Sequence, residues 1–385
     1  MCNSSARSYR SSLTLPAVAL AAAIAVSPLS GNASAADLVY GNWTPAQEYQ
    51  NRVVMPELFR NIERDTNGAI KWKLIAGGQI ADGKTTFTAV KDGLMQAGLG
   101  IVTYVPNAIP SVYAIYSTII FGENDPVAAT LAALETIYFH CPSCLEEARK
   151  YNAVLVGGWT SSAYMLACRE PLRTMADLKG KRVRATGGNA EMLKAAGMVP
   201  VGAALVEAVG LLQRGGLDCQ HGIHDWLRTF GYGDVAKYVM DYPLGLTGPA
   251  IGFFMNRDTW KSFTPEQKKI HLKHAASLSA KQAIGNFIVS NENSLNTVIK
   301  DKGVQLVNVG NAFDPIAENT KKVQRDANIA TAKNFGVADP GKIIDTYEKA
   351  VERWRPVSKE IGRDVDKYTD LLNREIFSKI DPDKL

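Results

Sequence analysis

The short strand-like segment GKRVRAT (180–186) carries three cations within four residues: Lys181, Arg182 and Arg184. Side chains alternate between the two faces of a strand, so Arg182 and Arg184 share one face while Lys181 and Val183 share the other. A guanidinium stays charged at neutral pH and can hold a carboxylate through two parallel hydrogen bonds. The arginine face is therefore either solvated surface or the wall of an anion site.

A second group of polar residues lies in the run HGIHDW (221–226). His221 and His224 are candidate polar contacts for a solute, and Asp225 is a candidate partner for a ligand ammonium group. The alternatives are structural histidines and, for Asp225, the N-cap of the helix predicted to follow it. One short loop rarely supplies a complete ligand shell, so this run does not indicate a metal site.

No catalytic motif accompanies these residues. The sequence contains no G-x-S-x-G, no H-E-x-x-H and no G-x-G-x-x-G that opens a helix. We therefore predict that the protein is not an enzyme and uses no cofactor and no metal. An acid–base or metal site built on the two histidines and the aspartate of HGIHDW is the enzyme alternative.

The first 35 residues have the organisation of a secretory signal peptide. Arg7 and Arg10 form a positive region, residues 13–26 form an apolar run, and Ala33 and Ala35 provide an A-x-A cleavage site. The apolar run is shorter than the roughly 17–25 residues of a membrane-spanning helix, which is the alternative. We predict export to the periplasm with cleavage near Ala35.

Four cysteines follow the predicted cleavage site: Cys141, Cys144, Cys168 and Cys219. An even number in an oxidising compartment suggests disulfides, and four cysteines allow three connectivities. We favour Cys141–Cys144 and Cys168–Cys219, with a redox C-x-x-C motif (CPSC) and a zinc site as alternatives. A redox motif normally opens a helix after a strand, whereas CPSC follows a predicted helix, and zinc requires a second paired motif.

The composition is that of an ordinary soluble protein with room for two domains. The chain has 385 residues, of which 46% are hydrophobic and 21% are charged, and its formal net charge is +5. The basic residues are scattered, so the sequence does not indicate nucleic-acid binding.

Strands alternate with helices, which predicts α/β units and a largely parallel sheet. Predicted strands include ADLVYGNW (36–43), QAGLGIVTYVP (96–106) and AVLVGGW (153–159), and residues 161–248 have a βαβ rhythm of their own. Thr264 is a predicted N-cap, followed by Pro265 and a capping-box glutamine. The helix that begins there extends for about 38 residues, near 57 Å, and so is predicted to run across two domains.

Four segments together resemble the solute-binding proteins of tripartite ATP-independent periplasmic (TRAP) transporters, the dicarboxylate-binding-protein family. They are VKDGLMQAGLGIVTYVPNAIPSVYAIYSTIIF, PLRTMADLKGKRVRATGGNAEMLKAAGMVPV, EAVGLLQRGGLDCQ and MNRDTWKSFTPEQKKI. In this order they span roughly residues 37–310, and CPSCLEE and YMLACREP further resemble a cysteine-containing branch of the family.

The resemblance implies an α/β, two-lobed periplasmic binding protein of type II-like architecture, with hinge strands and one long domain-spanning helix. We assign residues 36–160 plus 249–285 to lobe I and residues 161–248 plus 286–385 to lobe II. One small organic solute would bind in the cleft and pass to TRAP membrane subunits.

Family members typically hold the ligand carboxylate with an arginine, and Arg184 matches that position. Aromatic residues at strand ends are predicted as the apolar walls of the site, with core packing as the alternative for each: Trp43, Tyr104, Trp159 and Trp226, and with lower rank Phe121. The unusual HGIHDW run leaves a second reading open, in which Asp225 binds an amino-containing or zwitterionic solute. An ATP-driven importer and a sensor are alternative recipients of the solute.

Overall fold

The computed structural model describes residues 37–122 and 126–385. The predicted signal peptide, residues 1–35, lies outside these ranges. Within them, no helix combines the length and the apolar character needed to cross a bilayer.

The described residues form eleven strands in two sheets. The strands are β1 (Leu38–Gly41), β2 (Trp72–Ile75), β3 (Ala97–Gly100), β4 (Ala153–Trp159), β5 (Met165–Cys168), β6 (Arg182–Arg184), β7 (Val199–Val201), β8 (Cys219–Gly222), β9 (Tyr238–Met240), β10 (Ala250–Asn256) and β11 (Gln305–Val307). One sheet has the order β2-β1-β3-β10-β4, and the other has the order β11-β9-β5-β8-β6-β7.

Both sheets are mixed rather than largely parallel. In the five-stranded sheet, β1 is parallel to β2 and β3, while β10 is antiparallel to β3 and β4. In the six-stranded sheet, β5 is antiparallel to β8 and β9, while β6 is parallel to its neighbours β7 and β8. The prediction of largely parallel sheets is wrong because β10 returns to the first sheet from the second, and such a return strand need not follow the direction set by local βαβ units.

Fifteen α-helices cover the sheets within the described ranges. They are α1 (Met55–Asp65), α2 (Thr86–Lys91), α3 (Pro110–Tyr116), α4 (Pro126–Glu135), α5 (Pro142–Lys150), α6 (Met175–Leu178), α7 (Gly188–Ala195), α8 (Leu205–Gln213), α9 (His224–Thr229), α10 (Arg257–Ser262), α11 (Pro265–Ala280), α12 (Asn291–Lys302), α13 (Asp314–Asn334), α14 (Pro340–Ile361) and α15 (Val365–Glu375).

The long predicted helix is confirmed. It starts at α11, where Thr264 Oγ1 accepts a hydrogen bond from the Gln267 amide and Gln267 Oε1 accepts one from the Thr264 amide. It continues through a π-helical segment, Lys281–Ser290, into α12 and ends at Gly303, whose φ of 64° stops the helix. Because α11 packs against β4 and α12 packs against α9, this helix runs from one sheet to the other. The wider π-helical turns were not predicted, since the apolar pattern alone does not distinguish them.

Two connections between the sheets run side by side. The segment after β4 and the segment before β10 are joined by hydrogen bonds from Ser161 N to Thr247 O at 2.9 Å and from Tyr164 N to Gly245 O at 3.1 Å. These paired connections lie where the resemblance implies hinge strands, but residues 160–164 and 241–249 form no regular strand.

The lobe boundaries remain a prediction, and the C-terminal helices bear on them. The predicted division places residues 286–385 with the six-stranded sheet, but α14 packs against α3 and α4, and α15 packs against α11. Trp354 Nε1 donates to Glu135 at 2.7 Å, which fixes α14 to the end of α4. In contrast, α13 packs against α7 beside the six-stranded sheet.

Both favoured disulfides are present. Cys141 bonds to Cys144, and Cys168 bonds to Cys219 as directly opposed residues of β5 and β8. The CPSC motif follows a helical segment, as predicted, and also opens α5, with Cys141 at the N-cap. The preceding segment is Thr136–His140 rather than a strand, and both sulfurs are buried.

Candidate functional site

A small cavity lies between the two sheets, with about 70 Å³ of space open to the centres of water-sized molecules. Strand ends of both sheets supply its walls, because Trp43 and Trp159 lie at the ends of β1 and β4, while Arg184 and His221 lie on β6 and β8. Eight aromatic side chains line it: Trp43, Tyr104, Tyr116, Trp159, Tyr164, Trp226, Phe230 and Phe287. The arrangement suits a small solute with an apolar body.

Arg184 is the cation of this cavity, and it is only 4% exposed. Its Nε donates to the Ala203 carbonyl at 2.9 Å, and its Nη2 donates to the Tyr104 hydroxyl at 3.0 Å. No carboxylate among the described residues pairs with it. Since a buried charge normally requires a partner, the cavity favours an anion beside this guanidinium.

The neighbouring cations of the same segment have partners of their own. Arg182 Nη2 lies 2.8 Å from Asp218 Oδ1, and Lys181 Nζ lies 2.8 Å from Glu170 Oε2. Both side chains are partly exposed outside the cavity. The structure thus separates Arg184 from the rest of the cation cluster, although Arg182 nominally shares its strand face.

Four predicted aromatic residues line the cavity: Trp43, Tyr104, Trp159 and Trp226. Trp43 packs edge-on against Tyr104 with ring centroids 5.7 Å apart, and Trp226 packs edge-on against Tyr164 at 5.3 Å. Phe121 is not among the lining residues and instead lies under Lys321, whose Nζ is 5.8 Å from the ring centroid.

His221 lines the cavity but is neutral at physiological pH. Burial lowers its pKa to about 3, and the positive charge of Arg184 adds to the effect. Its Nε2 has no hydrogen-bond partner in the part of the chain that the structure describes. A neutral imidazole leaves Arg184 as the charged contact for an anion, because it neither repels the ligand nor adds a second cation.

Asp225 does not line the cavity, and the structure corrects both interpretations of this residue. It lies inside α9, whose N-cap is Ile223, so it is not the cap. It is fully buried, its Oδ1 lies 2.8 Å from Arg228 Nη2, and Ser294 donates to the same oxygen. Because Arg228 already supplies the counter-charge, the basis for an ammonium-binding Asp225 is removed, and with it the argument for an amino-containing solute.

His224 is also outside the main cavity. Its Nε2 lies 2.8 Å from the Met165 sulfur, and it borders a separate surface groove with Asn291 and Arg363. Its predicted role as a solute contact is therefore not supported by its position, since α9 turns this side chain away from Arg184.

A polar cluster that sequence reasoning missed lines another part of the cavity: Glu48, Gln50, Gln282 and Asn286. Glu48 accepts hydrogen bonds from the Gln50 amide at 2.7 Å and from Asn286 Nδ2 at 3.0 Å. The pKa of Glu48 is raised to about 7, chiefly by burial and then by the nearby Asp225 carboxylate, while these hydrogen bonds oppose the rise. No motif marks Glu48, because its contact with Asn286 joins residues 238 positions apart.

Hydrogen bonds of Tyr104 and Gln47 connect the two sides of the cleft. Tyr104 Oη accepts from Arg184 and from the Leu205 amide, the latter at 3.3 Å. Gln47 Nε2 donates to the Thr229 carbonyl at 2.8 Å. These contacts hold the segments after β1 and β3 against the six-stranded sheet.

An ion pair also spans the mouth of the cleft, where Lys84 Nζ lies 2.9 Å from Glu207 Oε2. Among the described residues, no group of three or more histidine, cysteine, aspartate or glutamate side chains is arranged to hold a metal ion. The cavity therefore offers a guanidinium, a neutral imidazole, aromatic rings and a cluster of polar side chains, a combination that can bind a small solute.

A family model described as bacterial extracellular solute-binding protein, family 7 (DctP), matches residues 42–326. The chain belongs to this family. The resemblance to TRAP solute-binding proteins is thus confirmed, and the protein is a solute-binding component of a transport system.

Solved structures of family 7 proteins share the fold at low sequence identity. A marine metagenome TRAP protein specific for aromatic acids, in complex with metahydroxyphenylacetate, is 18% identical with a TM-score of 0.73, covering 83% of this chain and 99% of its own. A Bordetella bronchiseptica protein with bound (R)- and (S)-mandelate is 18% identical with a TM-score of 0.69 and the same coverage. A Pseudomonas putida protein with bound D-glucuronate is 21% identical with a TM-score of 0.63, covering 79% of this chain and 98% of its own.

These likenesses confirm the two-lobed α/β architecture of the family 7 protein described here. The neighbours are periplasmic solute-binding proteins by description, which agrees with the predicted periplasmic location. The roles of the individual cavity residues remain predictions.

Proposed function

We propose that this family 7 protein binds a small organic acid with a ring-containing body, holding its carboxylate on Arg184. One observation supports this proposal most directly. The guanidinium of Arg184 is buried in an aromatic cavity and has no carboxylate partner in the described ranges. Burying an unpaired charge costs on the order of several kcal/mol, and a ligand carboxylate offsets that cost. A bidentate carboxylate also suits the planar donor geometry of arginine.

The aromatic walls define the body of the solute. Trp43 and Tyr104 line the cavity that contains Arg184, and Trp159 and Trp226 line it as well. Aromatic pairs prefer edge-to-face and offset contacts, which a ring of the solute can extend. Family 7 structures with mandelate and metahydroxyphenylacetate are consistent with an aromatic acid as the cargo.

The solute is then delivered to the membrane subunits of a TRAP transporter from the periplasm. Cleavage of the signal peptide near Ala35 would release the mature protein there.

A thermal-shift screen tests the proposal. Small aromatic acids such as benzoate, mandelate and phenylacetate are compared with the corresponding primary amides, which keep size and shape but lack the charge. An acid that binds only the folded protein raises the melting temperature by mass action. The proposal predicts shifts with acids and none with amides, and equal shifts for an acid and its amide would overturn it.

A further inference from the structure

Glu48, Gln282 and Asn286 form a connected, buried cluster on the cavity wall. Asn286 Nδ2 donates to Glu48 Oε1 at 3.0 Å and to Gln282 Oε1 at 2.9 Å. The cluster shares no residue with the hydrogen-bond partners of Arg184, which are Ala203 and Tyr104. A solute that contacts both must therefore carry a second polar group besides its carboxylate.

Two atoms of this cluster have no hydrogen-bond partner among the described residues: Gln282 Nε2 and Asn286 Oδ1. One is a donor and the other is an acceptor. Buried polar atoms are nearly always paired, and an unpaired one costs roughly 1–3 kcal/mol. Since both residues line the cavity, the missing partner is expected from the cavity side.

One donor and one acceptor remain unpaired whichever way the side-chain amides of Gln282 and Asn286 are oriented. If both amides turn over, Gln282 Nε2 donates to Asn286 Oδ1, and a protonated Glu48 donates to the same oxygen. The atoms left without a partner are then Asn286 Nδ2 and Gln282 Oε1. In either arrangement the cluster retains one unpaired donor and one unpaired acceptor.

We propose that Glu48, Gln282 and Asn286 form a second polar subsite, which selects organic acids that carry a hydroxyl group in addition to the carboxylate. A hydroxyl both donates and accepts, so it pairs with the two leftover amide atoms at once. The inference rests on the proposed function, because it assumes that Arg184 holds the carboxylate of the same solute.

The backbone supports the assignment. Gln282 and Asn286 lie four residues apart in the π-helical segment Lys281–Ser290, in the middle of the long helix. Segments of this kind within α-helices occur frequently at functional sites, because the wider turn re-aims side chains.

Isothermal titration calorimetry tests the subsite with phenylacetate and its 2-, 3- and 4-hydroxy derivatives. The wild-type protein is expected to bind at least one hydroxylated acid about tenfold more tightly than phenylacetate. The methoxy derivative at the same ring position, which cannot donate, should lose that gain. No preference for any hydroxylated acid would mean that water satisfies the cluster, and the subsite would be overturned.

Two variants and one control test whether the hydroxyl preference depends on Gln282 and Asn286. Asn286→Leu and Gln282→Met should abolish the hydroxyl preference, measured within each variant as the ratio of the affinities for the hydroxylated acid and for phenylacetate. Asn293→Leu, an exposed asparagine of the same helix, should retain the preference. A preference that survives in both variants, or in whichever one folds, contradicts the subsite.

Failure of the proposed function has a different signature. In that case none of the acids binds, or Arg184→Gln leaves their affinities unchanged. A wild-type protein that shows no hydroxyl preference but still binds phenylacetate through Arg184 overturns the subsite alone.

Discussion

The phenolic oxygen of Tyr104 lies 3.0 Å from Nη2 of Arg184 and joins the segment after β3 to β6 of the other sheet. The same oxygen accepts from the Leu205 amide at the start of α8. One phenol thus orients the guanidinium and connects the two walls of the cleft. A ligand held by both walls stabilises this closed arrangement to the extent that it binds the closed state more tightly than the open one.

Tyr104→Phe should weaken binding of an aromatic acid about tenfold, because Arg184 loses an orienting acceptor and the Leu205 amide loses its partner. The ring remains, so the apolar wall is kept. Calorimetry with the acid identified by screening measures the change, and Tyr113→Phe, which changes a tyrosine of α3 away from the cavity lining, is the matched control. Equal affinities for wild type and Tyr104→Phe would show that the phenol does not position Arg184.

Lys84 and Glu207 form an exposed ion pair across the mouth of the cleft. Such pairs contribute at most about 1 kcal/mol, so Lys84→Glu should weaken binding only about two- to fivefold by placing two like charges together. The loss should disappear in 0.5 M salt, which screens exposed charges. Titrations at low and high salt measure it, and Lys73→Glu, an exposed lysine of β2, is the control.

The exchange variant Lys84→Glu/Glu207→Lys should restore most of the affinity at low salt. If the single variant binds as wild type does at low salt, or the exchange restores nothing, the ion pair does not assist closure.

Glu48 predicts a specific pH dependence of stability. Its pKa is raised from 4.5 to about 7 in the folded protein, chiefly by burial and then by the Asp225 carboxylate. Arg228, which lies on α9 with Asp225, opposes the rise. Folding therefore favours the protonated form, and stability is highest below about pH 4.5 with respect to this group and falls as the pH rises to 7. The total loss is on the order of 3 kcal/mol.

Glu48→Gln cannot ionise and should not show that loss. Urea unfolding at pH 5 and pH 8 compares the two proteins, and the variant should gain stability relative to wild type at the higher pH. A stability difference that is the same at both pH values would contradict a raised pKa for Glu48.

The two disulfides should contribute unequally. Cys168–Cys219 closes a separation of 51 residues, whereas Cys141–Cys144 closes one of 3. In the chain-entropy model the first stabilises by about 4 kcal/mol and the second by about 2 kcal/mol. Thermal unfolding of the two double-alanine variants should show the larger fall in melting temperature for Cys168→Ala/Cys219→Ala, and the opposite order would contradict this account.

Local signals were sufficient for the long helix and for part of the cavity wall. Thr264, Pro265 and Gln267 specify a helix start through neighbouring backbone groups, so the sequence alone places it. Trp43 and Tyr104 were predicted because residues that follow strands lie at the edge of a sheet where clefts form. The strand expected to end at Pro106 stops at Gly100, since Val102–Tyr104 form a 3₁₀ turn that presents Tyr104 to Arg184.

Long-range contacts determine what the sequence could not show. Asp225 was a plausible ligand contact until α9 placed it beside Arg228 and Ser294. Glu48 was an ordinary acid of a polar stretch until the fold brought it to Asn286. Arg228 is a local neighbour of Asp225, but Ser294 and Asn286 come from a helix that the local pattern locates along the chain and not in space.

Carboxylate binding by Arg184 is the central claim, and a comparison of two arginines of β6 tests it most directly. Arg184→Gln and Arg182→Gln remove the same charge from the same strand, but Arg182 is paired with Asp218 outside the cavity. Calorimetry with the acid found by screening should show at least a hundredfold loss of affinity for Arg184→Gln, as expected for a buried charge pair, and less than a twofold change for Arg182→Gln. An Arg184→Gln protein that folds and binds the acid with wild-type affinity would contradict the account.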